Sequence, residues 1–331
     1  MRLLPRDPPN VLARSIAAAR RSAFALLGAC ALLTSPAIGA PANALQSLRV
    51  DTPAALRHES YRLWDGRAPG STGDTADDVP SLTIYRPAAQ RGTSPAVVIA
   101  PGGGYVMLAS GLEGSDPAAW FAARGVTAFV LTYRTGKAAR LPTVLEDGAR
   151  SIRFVRTHAK DFGIDPSRIA MMGFSAGGHL AASTAVYATA GDARSADEVE
   201  RVSSRPDYLI LGYPWLEGTI IAKDGTSQYC LFALEKQVPC LPEDYTRFVP
   251  TRSVTGKEPP TFIYHTTTDT LVSVAGAVRL YMALQEKGVP VEMHDFAQGE
   301  HGTGLGGSDP LLSIWPLLLE NWLRAQGFFR P

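Results

Sequence analysis

The residues Gly173–Phe174–Ser175–Ala176–Gly177 set one alcohol between two glycines. An apolar stretch, Ile169 to Met172, leads into them, and Gly178 to Ala188 has helix-forming composition. At a tight strand-to-helix turn of this kind a serine hydroxyl is pushed outward, toward the backbone N–H groups and the positive dipole end of the following helix. The chemistry such a serine could do is attack on a carbonyl carbon. The plain alternative is a glycine turn with a packed serine.

A serine hydroxyl is a weak nucleophile until a base takes its proton, and that base is usually an imidazole oriented by a carboxylate. The chain has six histidines. His58 precedes the strand-like region, His158 falls in a helical pattern, and His265 and His294 fall in strand-like runs. His179 follows the serine by one turn, which suits loop support or solvent. His301, in "QGEHGTGL", lies in a glycine-rich loop just after the strand-like "VEMHDF" and is the expected base. Asp269, just after "TFIYHTT", is the expected orienting acid. Its rivals have other uses: Asp295 belongs to a strand, and Asp309 precedes Pro310, where it suits a helix N-cap.

The negative charge of a tetrahedral intermediate needs donors. "PGGGY", Pro101 to Tyr105, follows the β-branched run "AVVIA", and Gly103 and Gly104 can turn their N–H groups to a substrate oxygen together with that of Ala176. A phosphate loop is the competing reading, but neither a lysine nor GxGxxG spacing accompanies the glycines.

These groups need a scaffold that brings strand ends together. "SLTIYRP", "AVVIA", "VTAFVLTY", "RIAMMGF", "YLILGYP", "TFIYHTT" and "VEMHDF" read as strands. Between them, Pro142 to Phe162 reads as an amphipathic helix with Leu145, Ala149, Ile152, Val155, Ala159 and Phe162 on one stripe. Val274 to Lys287 and Pro310 to Phe328 also read as helices, and Asp165-Pro166 reads as a turn. Strands alternating with helices imply crossovers, hence a mostly parallel sheet covered on both faces, with ligand chemistry gathered beyond the carboxyl ends of the strands. Residues 215–260 are too long for an ordinary connection and are expected to form a lid-like insertion.

At 331 residues with 45% hydrophobic composition the chain is long enough for one large α/β domain. Lys+Arg 32 against Asp+Glu 31 argues against a nucleic-acid surface. Residues 1–44 hold five arginines and one aspartate; without them the chain has 27 basic and 30 acidic residues, a net charge of −3. That segment reads as an export signal: Arg2, Arg6, Arg14, Arg20 and Arg21 precede the apolar run Ser22 to Leu33, and Ala42 and Ala44 give an AxA-like cleavage pattern before Leu45. A retained anchor, a twin-arginine signal and lipoprotein processing at Cys30 are the variants of this reading. The mature domain would then span residues 45–331, with no stable membrane span and with Cys230 and Cys240 as its two cysteines, either a disulfide in an exported protein or two buried thiols.

With these residues in place the chain resembles α/β-hydrolase esterases of the bacterial feruloyl-esterase and acetylxylan-esterase-like group, related to hormone-sensitive-lipase-type enzymes. The resemblance runs from about Ser81 to Gly327. It rests on "APGGGY", Glu113-Gly114, "VLTYR", "DPSRIAMMGFSAGGHLA", "HTTTDTLV" and "GEHGTGL", and on the chain order Ser175, Asp269, His301. Pro101 stands where lipase-type relatives have His, and Ser273 where many members have Pro. The resemblance implies an α/β-hydrolase fold and a serine esterase that needs no metal or organic cofactor. Its expected substrate is an acetyl or related ester on cell-wall polysaccharide, with a general short-chain carboxylesterase or a non-catalytic binding protein on the same fold as alternatives. Tyr105 and Trp215 are the expected walls for sugar contact.

Overall fold

The computed structural model describes residues 59–331 apart from 72, 74, 90–91, 137–140, 218–244, 308 and 330–331. The segment 1–44, Cys30, Cys230, Cys240 and most of the insertion at 215–260 lie outside the described residues.

Eight strands form one sheet: β1 (Glu59–Arg62), β2 (Ser81–Tyr85), β3 (Ser94–Ala100), β4 (Thr127–Thr132), β5 (Ile164–Phe174), β6 (Tyr208–Gly212), β7 (Thr261–Thr266) and β8 (Val291–Phe296). Their spatial order is β1-β2-β4-β3-β5-β6-β7-β8. The pairs β1–β2 and β2–β4 are antiparallel, and every other pair is parallel. β1, four mostly exposed residues "ESYR" at the sheet edge, has no apolar pattern to announce it.

Strand β3 shows why the sheet lies between two layers. All seven of its residues are buried, and they alternate sides: Val98 and Ala100 pack with Phe129, Ile152 and Leu180, whereas Val97 and Ile99 pack with Phe121 and Leu319. Each of these valine, isoleucine, leucine and phenylalanine side chains contributes roughly 1.5–3 kcal/mol by leaving water. Helices α2 (Thr143–Thr157), α4 (Ser175–Val186) and α5 (Val274–Glu286) supply the first layer. Helices α1 (Asp116–Ala122) and α6 (Trp315–Ala325) supply the second.

Two of the expected helices depart from the sequence pattern, as does the expected turn at Asp165-Pro166, which lies within β5. The helix expected from Pro142 to Phe162 stops at His158, where ψ is +19°, and resumes as the single turn α3 (Ala159–Phe162). On α2 the buried face includes Asp147, Gly148, Arg150 and Ser151, while Leu145 and Ala149 are only half-buried. A count of apolar residues misses this because part of the face is polar and paired. The last helix begins at Trp315, after a 3-10 turn (Leu312–Ile314) whose N-cap is Leu311; Asp309, just before it, accepts from the N–H groups of Leu311 and Leu312 at 2.8 and 3.1 Å.

The sheet order also places the site. The chain moves from β3 to β4 on one side, then returns to lay β5 on the other side of β3. This reversal opens a crevice beyond the carboxyl ends of β3 and β5.

Candidate active site

Beyond β5 the backbone turns at once into α4, and Ser175 takes φ = +50° at the junction. Such a conformation strains a residue with a Cβ by about 1–3 kcal/mol and has to be imposed by its surroundings. The flanking glycines permit the turn. A Cβ on Gly173 would lie 2.1 Å from the Gly177 oxygen, and one on Gly177 would lie 2.1 Å from the Ala100 oxygen. Only glycine lets the helix start this close to β3 and β5.

The structure brings the serine, the histidine and the aspartate together. Ser175 Oγ lies 2.9 Å from His301 Nε2, and His301 Nδ1 lies 2.6 Å from Asp269 Oδ2. Asp269 Oδ1 accepts from the N–H groups of Leu271 and Val272 at 2.9 and 2.8 Å, so local backbone bonds aim the carboxylate. Burial acts to raise the Asp269 carboxyl, but the His301 hydrogen bond and the two amides outweigh it, and the net shift is downward, toward the carboxylate. Its side chain has no exposed surface, while that of His301 keeps 14%. The proton on His301 therefore belongs on Nδ1, facing Asp269, which leaves Nε2 to accept from the serine.

The loops after β7 and β8 are stitched to each other. Thr266 and Thr268 donate to the Gly299 carbonyl at 2.9 and 3.2 Å, and Gly299 N–H donates to Thr268 Oγ1 at 2.9 Å. Tyr264 Oη and Thr303 Oγ1 sit 3.0 Å apart. Asp269 and His301 thus ride on one joined edge.

Gly103, Gly104, Ser175 and His301 line one open cavity of about 420 Å³. Ala176, buried in the first turn of α4, has no carbonyl four residues back within its helix to bond. Most of the remaining wall is apolar: Val106, Met107, Trp215, Leu271 and Val272, with Glu113 as a further polar side chain. Of the two expected aromatic walls, Trp215 borders this cavity, but Tyr105 does not. Tyr105 takes φ = +63° and points into the core, where its hydroxyl donates to His179 Nδ1 at 2.6 Å. It anchors the glycine loop from below. His179 Nε2–H donates in turn to the Phe248 carbonyl at 2.7 Å, so this histidine is a fully buried support rather than a solvent-facing residue.

Two neighbours of the site have a place there that the sequence pattern did not show. Glu113 and Tyr213 are buried and bonded to each other at 2.7 Å although a hundred residues apart in the chain. Their signals in the sequence were the Glu113-Gly114 pair among the residues that carry the resemblance, and Tyr213 near the end of a strand-like run. Among the described residues no group of three or more His, Cys, Asp or Glu side chains is placed to hold a metal ion. No helix among them is long and apolar enough to cross a membrane.

A parallel sheet that reverses beside β3, a strained serine after β5 and a histidine after the last strand define the α/β-hydrolase fold class. Within that class, residues 82–284 match the BD-FAE family, and the chain belongs to it. Endo-1,4-beta-xylanase B of Butyrivibrio fibrisolvens is 34% identical over 70% of this chain and 36% of its own length. Acetylxylan esterase of Xylanibacter ruminicola is 32% identical over 70% of this chain and 45% of its own length. The chain thus spans less than half of these two curated relatives. The crystal structure of an acetyl ester-xyloside bifunctional hydrolase from Caldicellulosiruptor lactoaceticus superposes with a TM-score of 0.74 at 36% identity, covering 82% of this chain and 97% of that one.

Proposed function

We propose that this chain is an exported serine carboxylic-ester hydrolase that removes acetyl or related acyl groups from carbohydrate esters of the xylan type. The observation that carries the reading is the relay of Ser175, His301 and Asp269 at 2.9 and 2.6 Å, opening onto the cavity that Gly103 and Gly104 line.

In this mechanism Ser175 Oγ attacks the ester carbonyl carbon as His301 Nε2 takes its proton. The carbonyl oxygen becomes an oxyanion held by the amides of Gly103, Gly104 and Ala176, where one well-placed donor is worth about 3 kcal/mol of barrier. Collapse breaks the bond to the alcohol oxygen, which leaves with the proton from His301. Water, deprotonated by the same imidazole, then attacks the acyl-enzyme and releases the acid and free Ser175. Asp269 holds the imidazole tautomer and faces the imidazolium that forms twice per turnover.

The relatives named for acetylxylan esterase and acetyl ester-xyloside hydrolase support the carbohydrate ester. The apolar cavity wall supports a neutral acyl group and also favours a second reading, a general short-chain carboxylesterase. Acetate release from acetylated xylan, set against turnover of simple aliphatic esters, separates the two. Labelling of Ser175 by a fluorophosphonate tests both, and Ser175→Ala is expected to lower kcat by about 10⁴- to 10⁶-fold. An unlabelled serine or unchanged turnover ends the reading. Export rests on the Arg-rich and apolar pattern of residues 1–44, and a mature N-terminus at Leu45 is its expected signature.

A further inference from the structure

The buried carboxylate of Glu113 lies outside the relay, yet it joins the loops that carry the relay's surroundings. Glu113 is 4% exposed and sits on the helical turn Gly111–Ser115. Its Oε2 accepts from Gly102 N–H at 2.7 Å, and its Oε1 accepts from the Tyr213 hydroxyl at 2.7 Å. The Tyr213 oxygen in turn accepts from Gly304 N–H at 2.8 Å, and its ring stands edge-on to the His301 imidazole, 5.0 Å between centres. The loops after β3, β6 and β8 are therefore joined through two bonded side chains, Glu113 and Tyr213.

The fit is close. A Cβ on Gly102 would lie 2.6 Å from Glu113 Oε2 and 2.8 Å from Ser175 Cβ, so this clasp requires glycine there. Tyr213 is held at φ = +35°, and with Tyr105 and Ser175 it completes the set of non-glycine residues at positive φ among the described residues. Ser175 lines the cavity, and Tyr105 and Tyr213 lie buried on the loops behind it, where the surrounding structure must sustain the strain. Burial pushes the Glu113 carboxyl up, while the Tyr213 and Gly102 donors and the nearby His301 oppose the shift.

We propose that Glu113 is a positioning residue for the reaction, fixing the oxyanion amides at Gly103 and Gly104 relative to the His301 imidazole. The proposal rests on the serine, aspartate and histidine roles given above. The oxyanion must come within about 2.7–3.1 Å of its donors while His301 Nε2 stays within reach of both the serine and the departing oxygen. Those two demands fall on loops from different strands. The Gly102–Glu113–Tyr213–Gly304 chain ties them to one reference point, and Glu113 itself neither transfers a proton nor touches the reacting carbonyl.

The test compares Glu113→Gln and Tyr213→Phe in the full chain, using p-nitrophenyl acetate turnover and inhibition by methylboronic acid, which forms a tetrahedral adduct on the serine. A glutamine keeps one acceptor and turns an N–H toward the other donor, so one arm of the clasp breaks. Glu113→Gln is expected to lower kcat by about 10- to 100-fold with KM within about threefold, and to weaken boronate binding by the same factor as kcat. Tyr213→Phe frees Gly304 N–H and takes the donor from Glu113 Oε1, leaving only the Gly102 bond, and lowers kcat by about 3- to 10-fold in the same pattern. A purely structural brace would change the melting temperature without this parallel loss. Wild-type kcat and boronate affinity in a folded Glu113→Gln enzyme overturn the proposal, as does a rise in KM with boronate affinity retained. If Glu113→Gln does not fold, Tyr213→Phe decides: wild-type kcat overturns the proposal, and the parallel loss supports it. Fluorophosphonate labelling of the wild type runs alongside. Failure to label Ser175 removes the underlying mechanism and this proposal with it, a result distinct from a labelled enzyme indifferent to Glu113.

Discussion

Two aspartates in this fold are buried against a basic partner, and they are held in opposite ways. Asp147 on α2 faces Arg134 just after β4, and neither side chain has exposed surface. Arg134 saturates it, with Nε at 3.0 Å from both carboxylate oxygens, Nη2 at 2.6 Å from Oδ1 and the backbone N–H at 2.9 Å from Oδ2. The remaining Arg134 donors go to the carbonyls of Pro69 and Thr143. Asp269 instead spends one oxygen on its own loop and gives the other to an imidazole that reaches an open cavity. Burial pushes the Asp147 carboxyl up to about 6, its arginine offsetting only part of the cost, whereas Asp269 is shifted down. The first pair joins a permanent cation to a closed shell and can serve only the fold. The second faces a partner that can gain and lose a proton, and so can serve a reaction.

The largest expected effect breaks the second pair without unfolding the protein. In Asp269→Asn the amide oxygen can still accept from Leu271 and Val272, but its NH₂ then faces His301 Nδ1. The imidazole proton is driven to Nε2, which can no longer accept from Ser175. The expected loss in kcat is about 10⁴-fold, with unfolding free energy changed by less than about 1 kcal/mol. Denaturant melts beside ester turnover check it, and an active Asp269→Asn enzyme would erase the distinction between the two pairs.

The converse variant is Arg134→Met. It leaves Asp147 buried without its cation, a loss of about 3–5 kcal/mol in stability. Turnover per folded molecule is expected to stay within about threefold, since no Arg134 atom lines the cavity. Loss of kcat without loss of stability would place Arg134 in the reaction after all.

How far the two pairs could be read in advance differs for a physical reason. Ser175, Asp269 and His301 announce themselves because each must sit at a strand end, and strand ends show in hydrophobic patterning. The sheet core was legible on the same ground, since β3 and the part of β5 from Ile169 onward are buried on both faces. Asp147 was not, because a charged residue in a helix reads as solvated unless its partner is known, and Arg134 approaches through a fold that patterning does not specify. Glu113 stood among the residues that carry the resemblance, but its burial was hidden for the same reason, its partners being a backbone N–H and a distant tyrosine. Tyr105 was misplaced as a cavity wall because alternation is undefined in a loop at positive φ, so the side to which its ring turned was not encoded locally.

A third buried group sharpens the contrast through pH. Burial pushes the His179 imidazole down to about 4, only partly countered by its bond to the Phe248 carbonyl. In the unfolded chain a histidine titrates near 6.5, so between about pH 6.5 and 4 the unfolded state holds more protons than the folded one. Stability from this site is complete above about pH 6.5 and declines on acidification through that window, by up to about 3 kcal/mol. Chemical denaturation at pH 7.5 and 4.5 reads it, and His179→Gln should show a correspondingly smaller drop. Equal drops in both proteins would rule His179 out as the source.

The smallest effect concerns how the Asp269 loop is fastened to α5. Ser273 is the N-cap of that helix and accepts from Ala275 N–H at 3.3 Å, a long bond. Ser273→Ala should cost about 0.5–1 kcal/mol, the low end for a lost cap. Its φ of −63° is also the value that a proline ring imposes. Ser273→Pro would lose the cap but restrict the unfolded chain, a gain of about 0.4–1 kcal/mol that nearly cancels the loss. Thermal melts should therefore rank Ser273→Ala below both Ser273→Pro and the wild type, with kcat alike in all three. Such a result would mean that serine and proline reach the same loop rigidity by different routes, one through a bond in the folded state and the other through the unfolded state. A proline variant as weakened as the alanine one would show instead that the capping bond alone fastens the acid loop, and that Asp269 depends on its helix more than its own two backbone bonds suggest.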